Sequence, residues 1–296
     1  MSLAEAIEPA AETPFYRERL KPSGASGLAP TTRAELVADQ LRHLPYGSRR
    51  LPTALPPVRA GITGSGPDLL VMTFTAAHLA RERRAGSSLL AALGVAAGMR
   101  VANALEGALV TPGSLLLGDV VEEMDCLDVP LGFPASAAAA AQAWTLLDRV
   151  QPQILIVDCT GGQRLLTAAP AAERVWLQGI VVLTPFAALT DDGHGLSIPD
   201  NVGFSGWQRQ WLAVPEATSF LAGSCERGIF HVEEQTHGEV RTPAGSIVPR
   251  GKGRLLLTPL GVDNVLLRYD SNLEGELHDG PCACGRSGPI LIPPRG

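Results

Sequence analysis

The chain is short of aromatic residues, of positive charge and of long apolar runs, and each shortage narrows what it does. Its formal net charge is −6 over 296 residues, with an isoelectric point near 5.5. Nucleic acid and anionic membranes are bound through a basic face that replaces counterions, so neither is an expected partner. No apolar run approaches the ~20 residues of a membrane span. Even Ala135 to Leu147 is short and contains Ser, Gln and Trp. The first residues, Met1-Ser-Leu-Ala-Glu-Ala-Ile-Glu8, have neither the basic nor the apolar stretch of a signal peptide. The five cysteines are odd in number and partly clustered, which fits metal-bound thiols in a reducing, cytoplasmic compartment better than a disulfide framework. Aromatics make up only 5%, against 32 glycines and 24 prolines, so the fold must accommodate many turns.

What remains is an ordinary globular balance, 45% hydrophobic and 18% charged, with length for one large domain or two smaller ones. Pro14 to Leu20 reads as a short helix, and Thr31-Thr-Arg-Ala-Glu-Leu36 as a Thr-capped helix start. Leu51 to Pro67, rich in Pro and Gly, is expected to be irregular. Leu69 to Phe74, Gln153 to Asp158 and Gly179 to Leu183 are apolar runs bounded by turn signals, the pattern of buried strands. Helical spacing covers Ala76 to Leu93 and Ala135 to Val150; between them Met99 to Ala104 reads as strand-like and Leu115 to Val121 as helix-like. Nearly all-apolar strands alternating with helices predict an α/β fold of layered, mostly parallel sheets. After about Gly193 the texture changes to short strands at 228–232, 253–258 and 265–269. The expected division is an α/β part over residues 1–192 and a β-rich subdomain over 193–296.

Two clusters in that β-rich part stand out. Cys225-Glu-Arg-Gly-Ile-Phe-His231 and Cys282-Ala-Cys284 together offer three thiols and an imidazole, a full ligand set for tetrahedral zinc. The alternative is a core cysteine at 225 and a metal-free loop at 282–284. A closed four-ligand site of this kind is structural and leaves no position for a catalytic water.

Laid end to end, the segments resemble the phenylacetate-CoA ligase branch of the adenylate-forming superfamily, and specifically its large N-terminal domain. Pro14-Phe-Tyr-Arg17 and Thr31 to Leu36 are similar to the opening PFYR and TTKxDL elements of that family. Gly253-Arg-Leu-Leu-Leu-Thr-Pro-Leu260 with Leu267-Arg-Tyr269 resembles GELVxTxL…LIRYRTGD, and Gly280-Pro-Cys-Ala-Cys-Gly-Arg286 resembles GPCxCGR. In the family the Cys-x-Cys is accompanied by an upstream Cys and His, so the resemblance implies a structural zinc on Cys225, His231, Cys282 and Cys284.

The departures are as specific as the matches. The SSGTTGKP-type phosphate loop is replaced by Ile62-Thr-Gly-Ser-Gly-Pro-Asp68, which puts an acid where a lysine neutralises triphosphate. Thr63, Gly64 and Ser65 are what remains to cradle phosphate; a plain Gly-Pro turn is the alternative. In the YGxSE motif, whose Glu helps hold magnesium, only Glu216 persists, in Leu212-Ala-Val-Pro-Glu216. The ribose-binding Asp of RYRTGD falls on Leu273, with Asp270 and Asn272 displaced nearby. The sequence stops at Gly296, so the small C-terminal lid with its catalytic Lys is expected to be absent. Use of ATP with magnesium is therefore disfavoured.

Other chemistry has candidates. Cys159 follows the strand ending at Asp158, where α/β sheets expose ligand sites. As a nucleophile it needs a base, for which His194 and His237 are available; the alternative is a buried structural thiol. Glu106 falls in the acid-binding segment of the family and is a candidate acid/base, or an ordinary exposed Glu. Trp207 and Trp211 line an aromatic pocket or simply pack. Three functions follow. The first is an ATP-independent biosynthetic relative that binds a small carboxylate, an aromatic acid or its thioester, with a carrier protein or pathway enzyme as partner and a homodimer allowed. The second is an acid-activating AMP/CoA ligase with a degenerate ATP site. The third is a noncatalytic scaffold.

Overall fold

The computed structural model describes residues 3–20, 27–107, 111–184 and 196–294. The chain forms two compact units, one from residues 1–82, 214–219 and 232–294, the other from 83–213 and 220–231. In the first unit, helices α1 (Leu3–Ala10), α2 (Pro14–Leu20) and α3 (Arg33–Arg42) are followed by strands β1 (Arg59–Thr63) and β2 (Leu70–Phe74). The start of α3 is fixed by a capping box: Glu35 N–H donates to Thr32 Oγ1, and Thr32 N–H donates back to the Glu35 carboxylate at 2.7 Å. The antiparallel pair β1 and β2, in register Thr63 to Leu70, closes a hairpin over the glycine loop 64–69. A strand at 59–63 thus lies inside the stretch expected to be irregular. Its hydrogen-bond ladder comes from β2, a partner that Pro and Gly counts do not reveal.

The second unit carries α4 (Ala76–Ala92, from Arg83), β3 (Arg100–Asn103), α5 (Ser114–Glu123), β4 (Leu127–Pro130), α6 (Ala137–Val150), β5 (Ile154–Asp158), α7 (Cys159–Thr167), β6 (Gly179–Thr184), β7 (Trp207–Val214), β8 (Thr218–Ser224) and the start of β9 (Phe230–Val232). Strands β4, β3, β5, β6 and β7 are parallel neighbours in that order. Each β-strand to helix to β-strand passage brings the chain back in the same direction, and the central strands β5 and β6 are buried on both faces, which is why they read as continuous apolar runs. One core cluster joins Ala102, Leu155, Val157, Ile180 and Val182 of the sheet to Trp144, Leu147, Leu165 and Leu166 of α6 and α7. The helix at 137–150 opens on Ser136, whose Oγ accepts from Ala139 N–H, and ends at Gln151 in the left-handed region.

The first unit resumes with β10 (Thr236–Arg241), β11 (Ile247–Val248), β12 (Gly251–Pro259), β13 (Tyr269–Asp279) and β14 (Pro289–Ile292). They form antiparallel pairs in the order β11, β10, β12, β13, β14. The expected strand at 265–269 is instead an irregular buried stretch leading into β13. Its apolar side chains serve a core, Val265 and Leu267 packing with Ala6, Ala10 and Tyr16. Its backbone is satisfied by side chains: Leu267 N–H donates to Tyr16 Oη at 2.8 Å and Arg268 N–H to Thr258 Oγ1 at 2.9 Å. A mixed α/β fold with a largely parallel sheet and a β-rich C-terminal region is therefore what the chain adopts.

Candidate functional site

Cys225 and Cys282 each open a tight turn. Gly228 N–H donates to Cys225 O and Gly285 N–H to Cys282 O, both at 2.9 Å, while Arg227 N–H approaches Cys225 Sγ at 3.4 Å. Gly228 and Gly285 have φ of 71° and 90°, which a side-chain-bearing residue resists. Of the four candidate ligands Cys225, His231 and Cys282 are buried, and three thiolates with one imidazole match the ligand preferences of zinc. The residue types fit a metal ion.

A second constellation lies in the first unit, around the glycine loop. Glu216 is 9% exposed and pairs with the guanidinium of Arg33. Thr63 Oγ1 donates to Glu216 Oε1 at 3.2 Å. Arg33 Nη2 donates to the carbonyls of Thr63 and Asp68, at 2.8 and 2.6 Å. Burial first, and then the Glu216 charge, push the Tyr269 pKa well up, so it stays a phenol. Ser65 precedes the single 3-10 turn of the loop and makes no capping bond. Asp270 is likewise engaged: Oδ2 accepts from Arg241 Nη2 at 2.9 Å and Arg254 Nη1 at 3.4 Å, and Oδ1 from Asn272 N–H at 3.1 Å.

Arg33, Arg241, Arg254 and Tyr269 were not singled out by sequence reasoning. Arg33, Arg254 and Tyr269 do stand inside quoted motifs. Arg241 and Arg254 face each other across β10 and β12, a pairing visible only once the register is known.

In the second unit, Cys159 is the first residue of α7, and Asp158 caps that helix by accepting from Gly161 N–H at 2.7 Å. Burial pushes the Cys159 thiol up, and the Asp158 charge adds to this, so the thiolate is disfavoured. Strands β3 and β5 pair with Asn103 opposite Ile156. Glu106 and Cys159 each follow that pair by three residues, and so leave the sheet at the same carboxyl edge. Glu106 is exposed. Among the described residues no hydrogen bond joins the two side chains. His237 stands on β10, its pKa lowered by burial; His194 lies outside the described residues. Trp211 is buried and stacks on Phe220 with centroids 4.7 Å apart, whereas Trp207 is half-buried beneath Arg209.

No family model and no curated protein sequence matches the chain. Solved structures do. 2-Hydroxyisobutyryl-CoA ligase in the postadenylation state, in complex with R3-HIB-AMP, superposes with a TM-score of 0.83 at 18% identity, over 98% of this chain and 65% of that one. The open conformation of that ligase, with 2-HIB-AMP and CoA, gives 0.83 at 16%, over 98% and 71%. A fatty acyl CoA synthetase of Mycobacterium tuberculosis gives 0.53 at 14%, over 88% and 51%. The chain thus spans 65% of the length of the first of these ligases, and across nearly all of its own length it shares the fold of that protein.

Proposed function

We propose that the chain is an ATP-independent biosynthetic relative of the acyl ligases whose fold it shares. It binds a small carboxylate, an aromatic acid or its thioester, and performs cyclisation, transfer or hydrolysis, or presents the intermediate to a carrier protein or pathway enzyme. The observation that carries this reading is that both acids of the expected nucleotide site are held by arginines of the same unit, Glu216 by Arg33 and Asp270 by Arg241 and Arg254. A buried carboxylate already paired with an arginine is poorly placed to take up magnesium or ribose hydroxyls. Reactive groups are offered by the carboxyl edge of the parallel sheet, where Glu106 serves as acid/base beside Cys159. The four-ligand cluster is read as structural zinc, kept in a reducing, cytoplasmic setting.

The rival reading is an acid-activating ligase using Thr63, Gly64 and Ser65 for phosphate, Glu216 for magnesium and Asp270 for ribose. It is favoured by the superposition of 98% of the chain on a ligase bound to an acyl-AMP. ATP–pyrophosphate exchange with a panel of aromatic and short-chain acids separates the two. The isolated chain is expected to show none above background, and robust exchange with any acid establishes the rival.

A further inference from the structure

The hydroxyl of Thr236 is buried without a hydrogen-bond partner. The residue is 6% exposed, and Oγ1 finds no donor or acceptor among the described residues. A hydroxyl left in that way carries its full desolvation cost, so its place in the fold calls for an explanation. Thr236 lines a cavity of about 230 Å³ inside the first unit, walled by the buried Leu255, Leu257 and Leu277. On β10, Thr236 and Gly238 share one face, and Gly238 stands opposite Leu257 of β12, so hydroxyl, glycine and leucine meet on that face. A Cβ at 238 would come within 3.0 Å of Leu277 Cδ2, so any side chain there takes space from the cavity. Liquid water occupies roughly 30 Å³ per molecule, and an apolar cavity of about 150 Å³ admits benzene. The cavity therefore has room for a six-membered ring with a substituent, far more than one bridging water needs.

The charges around it are either spent or negative. Arg250 donates Nε and Nη2 to the two carboxylate oxygens of Asp279 at 2.8 and 2.9 Å, and Nη1 to Gly238 O at 3.0 Å. Burial lowers the His237 pKa and leaves a neutral imidazole. Glu234, the remaining charged residue of the lining, is an exposed acid. A carboxylate entering here would lose its water without gaining a counter-charge. We propose that this cavity binds an uncharged single-ring molecule bearing a hydroxyl group, the ring against Leu255, Leu257 and Leu277 and the hydroxyl bonded to Thr236 Oγ1. The inference is independent of how Glu216 and Asp270 are read, since neither these acids nor the arginines that hold them line the cavity.

Phenol is the probe, with toluene as the match in size that lacks the hydroxyl and benzoate as the charged match. Each is titrated into full-length chain labelled at its leucine methyls and followed by NMR. Phenol is expected to shift the methyls of Leu255, Leu257 and Leu277, toluene to shift them with weaker affinity, and benzoate to leave them in place. Thr236→Val keeps the shape and removes the hydroxyl. It is expected to raise the melting temperature of the ligand-free chain, and to weaken phenol about tenfold while leaving toluene no weaker. Gly238→Val fills the cavity and is expected to abolish the phenol shifts. Phenol that leaves these methyls unmoved overturns the proposal, as does equal affinity of phenol for the wild type and Thr236→Val. A lowered melting temperature in Thr236→Val overturns it too, because the hydroxyl would then already be satisfied within the fold. Benzoate that shifts the same methyls as strongly as phenol refutes the uncharged class, and Gly238→Val that binds phenol as the wild type does refutes the place. Where Gly238→Val does not fold, the measurements on Thr236→Val decide.

Discussion

At the scale of single residues, the buried carboxylate of Glu82 is held by several named partners, and the holding sets how stability depends on pH. Glu82 is 1% exposed. Its carboxylate accepts from Arg81 Nη1 at 2.7 Å, Ser219 N–H at 2.8 Å and Thr218 Oγ1 at 3.3 Å, with His78 Nε2 at 3.7 Å. Burial by itself raises the Glu82 pKa, but the hydrogen bond and charge of His78, the Arg81 charge and the Ser219 N–H outweigh it and hold the pKa below the ordinary value. A carboxylate with a lowered folded-state pKa contributes stability that is fully present above its unfolded value, about 4.3, and is lost as pH falls through the folded value. Glu82→Gln leaves Arg81 buried without its counter-charge and is expected to cost about 3 kcal/mol at neutral pH. Urea unfolding of the two proteins across pH checks it. The gap is expected to begin shrinking as pH falls below the unfolded value of about 4.3 and to close only below the lowered folded value, where the folded wild type is protonated too; a gap that persists unchanged in acid refutes the assignment.

At the scale of elements, a cap and a reactive group share one turn. Asp158 ends β5, caps α7 and faces the Cys159 thiol, whose pKa is raised by burial and then by the Asp158 charge. Asp158→Asn removes the charge and keeps a capping oxygen, so the helix is expected to lose only a few tenths of a kcal/mol or less on the scale of about 1 kcal/mol for a cap. The thiol pKa is expected to fall. Alkylation of Cys159 by iodoacetamide, read by mass spectrometry over a pH series, should show its midpoint move to lower pH; an unmoved midpoint means that burial alone sets it. Element patterns are also where sequence was most and least informative. The capping box at 32–35 and the buried strands at 154–158 and 179–184 are local patterns and were legible. All seven residues of β8 are buried, yet Thr-Ser-Phe-Leu-Ala-Gly-Ser has too much polar and small character to announce a core strand. The stretch at 265–269 erred in the other direction, apolar because it packs against α1 and α2 and not because it is a strand. The Arg33, Thr63, Glu216 and Tyr269 network draws common residue types from four separate places in the chain, so no spacing rule finds it, whereas three cysteines and a histidine in two short clusters are rare enough to be found at sight.

At the scale of the whole molecule, the proposed zinc on Cys225, His231, Cys282 and Cys284 would close a long loop of chain, from residue 225 to residue 284, and most of the β-rich region lies between those residues in sequence. Closing a loop of this length restricts the unfolded chain far more than the folded one. Structural zinc in small finger peptides supplies about 10 kcal/mol of apparent binding free energy at neutral pH, and a fraction of that is comparable to the net stability of an ordinary domain. Metal analysis is expected to return one zinc per chain. Stripping it with a strong chelator should lower the melting temperature and expose the β-rich strands to amide exchange, with re-addition of zinc restoring both. Cys282→Ser should abolish stoichiometric zinc. Because cysteine ligands must be deprotonated to bind, acidification should release the metal and reproduce the chelator effect. Zinc-free protein that melts at the same temperature as the metal-loaded form would show that the cluster is not a structural metal centre, and the two turns at Cys225 and Cys282 would then have to be explained by packing alone.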